Sequence, residues 1–389
     1  PWRFLDLVGV SEPEHDQRVR ELAAADRIAC CDLDRESQFR VSLVKVAADR
    51  FHLIVTMHHI VIDGWSLPIL LEEIFLAYGG ETLATPMPYR GYLAWVSEQD
   101  AAASSAVWRE QFAGFESPTI IDPLGIDSAS ERIPADRASQ GFSVPETTTR
   151  ALDALVRELD TTMSTVLHAA WSRVLSVMTG RSDVVFGTTV SGRPAELPGI
   201  DKMVGLFINT IPVRADIEHD TTFAQLVERL QQNQTDTVEH QFLPLTEICR
   251  ASGQQHLFDT LMVYENYPIE ASAENISADI SITDISVHET VHYPLALQIS
   301  PGPRLHLQVK YSTDVLDAVA VEQLAARFLR VLDAIIADPR QQVSSIEVFD
   351  EHELAQLAKF SNRAVLTEQT TAVSIPELFA TQAQRTPDA

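Results

Sequence analysis

The chain has 389 residues, 45% hydrophobic and 22% charged, a globular composition too long for one small domain, so two packed units are expected. Its 29 Lys and Arg against 55 Asp and Glu leave a net charge of −26, which repels phosphate backbones and anionic lipid and excludes nucleic acid and membrane surfaces as expected partners. No apolar run reaches the ~18 residues of a membrane span. Cys30, Cys31 and Cys249, two of them adjacent, make no disulfide framework and point to a reducing, cytoplasmic setting.

Pro1-Trp2-Arg3 opens the chain with no charged region leading into an apolar segment, so it reads as a piece of something longer rather than a signal peptide. Residues 38–46 alternate apolar and polar, and 51–57 are β-branched and apolar; both predict strands, joined by a turn at 47–50. The second strand runs straight into His58-His59-Ile60-Val61-Ile62-Asp63-Gly64-Trp65-Ser66. Residues 67–78 predict a helix stopped by Gly79-Gly80, and a further helical stretch follows over 92–112. Residues 116–143, rich in Pro, Asp, Ser and Gly, read as the connection to the second unit. Helices are predicted there over 147–160, 162–178, 222–239 and 317–337, with strands over 183–188, 278–291, 295–299 and 305–311 and within 257–264. This alternation predicts an α/β or α+β architecture. From residue 351 the character changes to a linker followed by the first helix of another domain.

Four segments could carry chemistry. Two imidazoles at the end of an apolar strand are costly unless hydrogen-bonded or working, and the glycine after Asp63 lets the backbone fold that carboxylate back toward them. An isolated pair of this kind is usually a satisfied core pair; the full string around His58 and His59 turns the reading to function. His288-Glu289-Thr290-Val291-His292 has the form H-E-x-x-H, which binds zinc when both histidines share one helix face. The alternation of Ile280, Ile282, Ile285 and Val287, and Pro294 downstream, predict a strand instead. Four residues along a strand span ~13 Å, so no shared metal is expected and the string reads as coincidence. Ser191-Gly192-Arg193-Pro194 follows a predicted strand and lacks the outer glycines of a nucleophile elbow. Asn209-Thr210, inside a long apolar segment, is either a satisfied core kink or part of a channel wall. No phosphate-binding glycine loop and no C-x-x-C occurs, so neither a nucleotide cofactor nor a structural metal is expected.

With these residues the chain resembles the condensation domains of nonribosomal peptide synthetases. His58-His59-Ile-Val-Ile-Asp63-Gly64 fits HHxxxDG. It is followed in family order by Ser191-Gly192-Arg193-Pro194, Val204-Gly-Leu-Phe-Ile-Asn209-Thr210, His240-Gln-Phe-Leu-Pro244 and Phe258-Asp-Thr-Leu-Met-Val-Tyr-Glu-Asn266. The stretch from Ile375-Pro-Glu-Leu-Phe379 to Thr386-Pro387-Asp388 resembles the entry to an adenylation domain. Family members carry an early segment ahead of the position of Pro1, which fits the reading of a fragment.

The resemblance implies two chloramphenicol acetyltransferase-like lobes in a V around a central tunnel. Residues 1–115 would form the N-terminal lobe, 116–350 the C-terminal lobe, and 351–389 the linker and the beginning of an adenylation domain. Upstream donor and downstream acceptor carrier domains would present substrates on 4'-phosphopantetheine, with no cofactor bound directly, and an acceptor amine would attack a donor thioester. The resemblance assigns His59 to the amine, as general base or positioning group, with His58 supporting it. It implies that Asp63, Gly64 and Arg193 hold the active loop, Asp63 pairing with Arg193, and that Trp65, Asn209 and Thr210 line the tunnel. Epimerization domains share HHxxxDG, but usually continue Val-Ser-Trp where this chain has Trp65-Ser66-Leu67, and have a later Glu-bearing motif not found here. Heterocyclization domains replace the histidines by aspartates, and recruitment domains have degraded motifs. A stand-alone coenzyme A acyltransferase fits poorly with the adenylation-like tail.

Overall fold

A computed structural model describes residues 1–122, 137–265, 280–289, 291–361 and 374–386. Two sheets organise it: a three-stranded sheet of order β1-β2-β3 and a six-stranded sheet of order β4-β9-β8-β7-β5-β6.

In the smaller sheet, β1 (Trp2–Asp6) runs parallel to β2 (Phe39–Lys45), which pairs antiparallel with β3 (Phe51–Met57) from Phe39 opposite Met57 to Lys45 opposite Phe51. Along β2 the period-two alternation buries Arg40, Ser42 and Val44 on one face. α1 (Glu12–Cys30) covers that face, and its buried Asp26 meets Arg40 Nε at 2.8 Å, while Leu7, Val44 and Val46 form the apolar contact. The sequence pattern announces neither β1 nor α1. α1 is rich in charged and polar residues and offers a narrow apolar stripe, so its helical periodicity is weak. The sheet matters to function through β3, whose last residue, Met57, delivers the chain to His58 and His59.

α2 (Ser66–Tyr78) starts at once after that loop and ends at Gly79, with Gly80 at φ +81°. The helical stretch expected over 92–112 is two helices, α3 (Arg90–Glu98) and α4 (Ala101–Gln111). The break lies at Asp100, whose extended backbone and carboxylate, accepting from Ala102 and Ala103 N–H, start a new helix. Trp108 of α4, with Phe112 and Phe115 beyond its end, is buried among Val185, Ile211, Ile248, Leu257 and Phe258. Trp108, Phe112 and Phe115 thus pack on two strands of the larger sheet, those of Val185 and Ile211.

The larger sheet contains β4 (Arg137–Ser143), β5 (Asp183–Val190), β6 (Asn209–Asp216), β7 (Thr260–Tyr264), β8 (Leu295–Ser300) and β9 (His306–Ser312). β4 lies in what reads as a connection; it is an edge strand, mostly polar and half exposed, that among the described residues pairs with β9 alone. Helices α5 (Glu146–Glu158), α6 (Met163–Thr179), α7 (Phe223–Thr237) and α9 (Ala318–Ala337) supply the core, where the Trp171 ring meets Phe328 edge-on at 6.3 Å. α6 shows both end signals: Thr162 accepts from Thr165 N–H at its start, and Gly180 closes it at φ +68°. α8 (Leu245–Ser252) packs on α4 and, at eight residues, is too short to read from periodicity.

The strand expected over 278–291 is absent from residues 280–289, which are irregular; residues 278, 279 and 290 lie outside the described residues. The apolar spacing slips between Ile282 and Ile285, and Ile285 and Val287 are left exposed, so the segment has no single face to bury. α10 (Glu351–Phe360) is tied to α9 by Arg327 and Glu353, 2.6 Å apart, and α11 (Ile375–Arg385) exposes Ile375, Leu378 and Phe379. Part of the expected linker, residues 362–373, lies outside the described residues. Among the described residues no helix is long and apolar enough to cross a membrane.

Candidate active site

The loop from His58 to Trp65 has a buried end and an open end. At the buried end Asp63, 1% exposed, makes the densest set of contacts in the loop. Its Oδ1 accepts from Ser66 N–H (2.9 Å) and Ser66 Oγ–H (2.8 Å), and its Oδ2 from Phe207 N–H (2.9 Å). The Asp63 N–H donates to Gly205 O at 3.0 Å. Arg193 Nη2 donates to Ser66 Oγ at 2.9 Å and stands 3.4 Å from Asp63 Oδ1. The same guanidinium donates through Nη1 to the carbonyls of Ile200 and Met203, and lies over the Phe207 ring at 4.0 Å. A loop that follows β3 is thus bound to both ends of the connection between β5 and β6.

Two glycines permit this closeness. Gly192 sits at φ +59°, and a Cβ there would fall 1.8 Å from Phe207 O. At Gly205 a Cβ would lie 2.3 Å from the Tyr89 ring, whose hydroxyl donates to Leu206 O. Tyr89, Tyr92 and Phe207 then form an aromatic cluster, with Phe207 at 5.1 and 4.8 Å from the two tyrosines.

At the open end, His58 Nδ1 accepts from Ile60 N–H at 3.0 Å, which fixes the turn. His59 has an exposed side chain; its Nδ1 donates to Ile62 O at 3.2 Å, so Nε2 carries the ring's lone pair. Facing Nε2 at 3.7 Å is Oε1 of Glu289, whose Oε2 is held by Lys310 Nζ of β9 at 2.8 Å. Glu289 raises the His59 pKa above its ordinary value against the opposing effect of burial. In return His59 and then Lys310 hold the Glu289 carboxyl down at about 2.

The other anticipated residues are placed differently. Asn209 starts β6 and directs its amide to the carbonyls of Gln241 and Leu243, both at 2.7 Å, while its own Oδ1 accepts from Thr210 N–H at 2.9 Å. Thr210 pairs with Thr189 across β5 and β6, and Gly64 and Trp65 complete the turn into α2; both Thr210 and Trp65 are half-buried. His240 is joined to α4, its Nδ1 2.9 Å from Ser104 Oγ and its carbonyl accepting from Trp108 Nε1–H at 3.0 Å. Sequence reasoning missed Ser66, Tyr89, Glu289 and Lys310. For Ser66 the signal was its place beside the HHxxxDG string; for Glu289 and Lys310 no spacing along the chain points to His59.

A family description for the condensation domain matches residues 1–358. The chain is 32% identical to a linear gramicidin synthase of Brevibacillus parabrevis over 99% of its own length, and 33% identical to surfactin synthase subunit 3 of Bacillus subtilis (strain 168) over 90%. It spans only 8% and 28% of those two proteins. Among solved structures it resembles a four-domain nonribosomal peptide synthetase bound to AMP and glycine (TM-score 0.73, 18% identity, 90% of this chain and 28% of that one). It also resembles the X-domain from teicoplanin biosynthesis (TM-score 0.72, 20% identity, 90% of this chain and 81% of that one). The first condensation domain of the calcium-dependent antibiotic synthetase, in complex with a substrate analogue, follows at TM-score 0.67, 19% identity, and 90% and 80% coverage. The mixed α/β fold with two sheets is that of these condensation domains, and the chain belongs to the condensation-domain family of nonribosomal peptide synthetases.

Proposed function

We propose that this chain forms an amide bond between a donor acyl or peptidyl thioester and an acceptor aminoacyl amine, each tethered to 4'-phosphopantetheine on a carrier domain. The observation that carries the reading is the open end of the HHxxxDG loop. There a histidine is oriented through Nδ1 and turns Nε2 outward toward Glu289, while His58 Nδ1 and the Asp63 carboxylate are spent on holding the loop. A thioester is already activated, so no serine or cysteine nucleophile is needed; proximity, a free amine lone pair and a proton acceptor suffice. His59 takes the amine as general base or positioning group and His58 shapes its loop. Asp63, Gly64 and Arg193 support the site, and Trp65, Asn209 and Thr210 border the substrate path. Donor and acceptor carrier domains are the partners in the cytoplasm, and residues 351–389 lead toward an adenylation domain.

Epimerization is the second reading within the family, and the spacing of Glu289 and His59 bears on it. Exchange of an α-proton by two groups on opposite faces of one carbon needs each within ~3 Å of it, hence ~6 Å apart. At 3.7 Å the pair leaves no room for a carbon between them, which favours condensation. A non-catalytic recruiting module would not need His59 held in one tautomer. The test is an assay with separate donor and acceptor carrier domains loaded with aminoacyl groups, followed by mass spectrometry of the tethered products. Condensed dipeptide on the acceptor carrier supports the proposal. Solvent deuterium entering the donor's α-position without dipeptide would replace it by epimerization, and carrier binding with neither product by recruitment.

A further inference from the structure

Glu289 belongs to none of the motifs that carry the family resemblance and lies in a segment without helix or strand. It nevertheless faces His59, and the reason is on β9. Lys310 is 8% exposed within the larger sheet, where an unpaired ammonium would be costly. Glu289 pairs with it at 2.8 Å, so a rigid strand seats one carboxylate oxygen and leaves the other directed at the imidazole. His59 is held from its other side, Nδ1 donating to Ile62 O. The 3.7 Å from Nε2 to Oε1 is too long for a direct hydrogen bond between a lone pair and a carboxylate, and closes when a proton arrives on Nε2.

We propose that Glu289, seated by Lys310, is a positioning residue for His59: it orients the imidazole and stabilises its protonated form during amide formation. The inference rests on the amide-forming reading. In the step itself the acceptor's neutral amine nitrogen attacks the thioester carbonyl carbon, the C–N bond forms and the C–S bond breaks. The proton lost by nitrogen passes to His59 Nε2 and from there to the departing thiolate sulfur, while Glu289 stays ionised throughout. The charged and titratable groups around His59 are Glu289, Lys310 behind it, and His58 and Asp63 on its own loop; of these, Glu289 is the one that contributes most to keeping the imidazolium.

Two substitutions should act in the same direction and by different amounts. Glu289→Gln removes the negative charge, so the His59 titration midpoint falls. Lys310→Met removes the ammonium that seats the carboxylate, so Glu289 no longer faces Nε2 squarely and the midpoint falls by less. Both are read by NMR of histidine-labelled protein, with His59→Ala identifying the resonance. In the carrier-tethered assay the acidic limb of the pH–rate profile should follow the same two shifts. Glu289→Gln should also slow turnover ~10-fold on the plateau with little change in the acceptor KM. A midpoint that stays put in Glu289→Gln, or one that rises in Lys310→Met, overturns the proposal. Should the unaltered chain make no amide, the proposed function falls, while the NMR shifts still decide whether Glu289 governs His59.

Discussion

His59 and Asp63 belong to one short loop, yet their side chains are 59% and 0% exposed. The carboxylate is surrounded by donors from both halves of the molecule, whereas the imidazole has one hydrogen bond to a carbonyl and a second nitrogen that faces Glu289 at 3.7 Å. The difference teaches how such a site is built. The buried end spends its hydrogen-bonding capacity on fixing the backbone, and that fixed backbone carries the exposed imidazole to the place where Ile62 O and Glu289 meet it from two sides. Substitution at the two ends should therefore separate chemistry from folding, and the effects below run from the largest to the smallest.

His59→Ala should abolish most turnover, by ~10²–10⁴-fold, the range for loss of a positioned acid–base group. It should leave stability within ~0.5 kcal/mol, because the side chain is exposed and Glu289 keeps its closer partner, Lys310. Carrier-tethered dipeptide formation and a thermal melt, measured on the same preparation, check both halves. Full activity in the variant would remove His59 from the chemistry.

At the other end the loss should be in stability. Asp63→Ala leaves Arg193, whose side chain is 8% exposed, without its carboxylate, and Arg193→Ala leaves Asp63 likewise. Breaking a buried pair from one side typically costs ~3–5 kcal/mol. Each single substitution should lower the Tm, and the double substitution should cost less than the sum of the two. Strict additivity would mean that the contact contributes nothing. A stable Asp63→Ala protein that has lost only turnover would move Asp63 into the chemistry.

How much of this could be read from the chain follows the same division. The HHxxxDG string and the Ser-Gly-Arg string are contiguous, so the two partners of the buried end were legible and the structure brings Asp63 and Arg193 to 3.4 Å. β2, β3 and the long helices were legible because their apolar period is regular over many residues. α1, β4 and α8 were not, being respectively largely polar, an edge strand and a single short helix. The strand expected over 278–291 and not formed by residues 280–289 shows the opposite error, in which four apolar residues suggested an alternation that the fold gives no face to bury. Glu289 and Lys310 were illegible in principle, since only the sheet order and the course of an irregular segment bring them to His59.

Gly192 connects the two partners of the buried end, because its conformation carries the chain past Phe207 into Arg193. Gly192→Ala should cost ~1–2 kcal/mol for the left-handed backbone alone. The clash with Phe207 O adds to that cost, since backbone cannot rotate away as a side chain can. Chemical denaturation compared with Arg193→Ala measures it. A Gly192→Ala midpoint equal to that of the unaltered protein would show that the 191–193 turn yields freely and does not hold Arg193.

The smallest effect, none at all, is expected from removing metal ions. His288-Glu289-Thr290-Val291-His292 has the letters of a zinc site, but a zinc site needs the two histidines one helical turn apart, and residues 280–289 contain no helix. Both oxygens of Glu289 are already directed elsewhere, to His59 and to Lys310. The His292 ring lies tilted against Tyr293, centroids 4.2 Å apart, with burial and the neighbouring Arg137 disfavouring its charged form. Chelation followed by gel filtration should therefore leave the rate of amide formation unchanged, and elemental analysis should find no metal that tracks with activity. Stoichiometric zinc lost together with turnover, and restored with it, would mean that the segment from His288 to His292 closes around an ion. Glu289 would then be shared between that ion and His59, and the open end of the loop would no longer depend on Lys310.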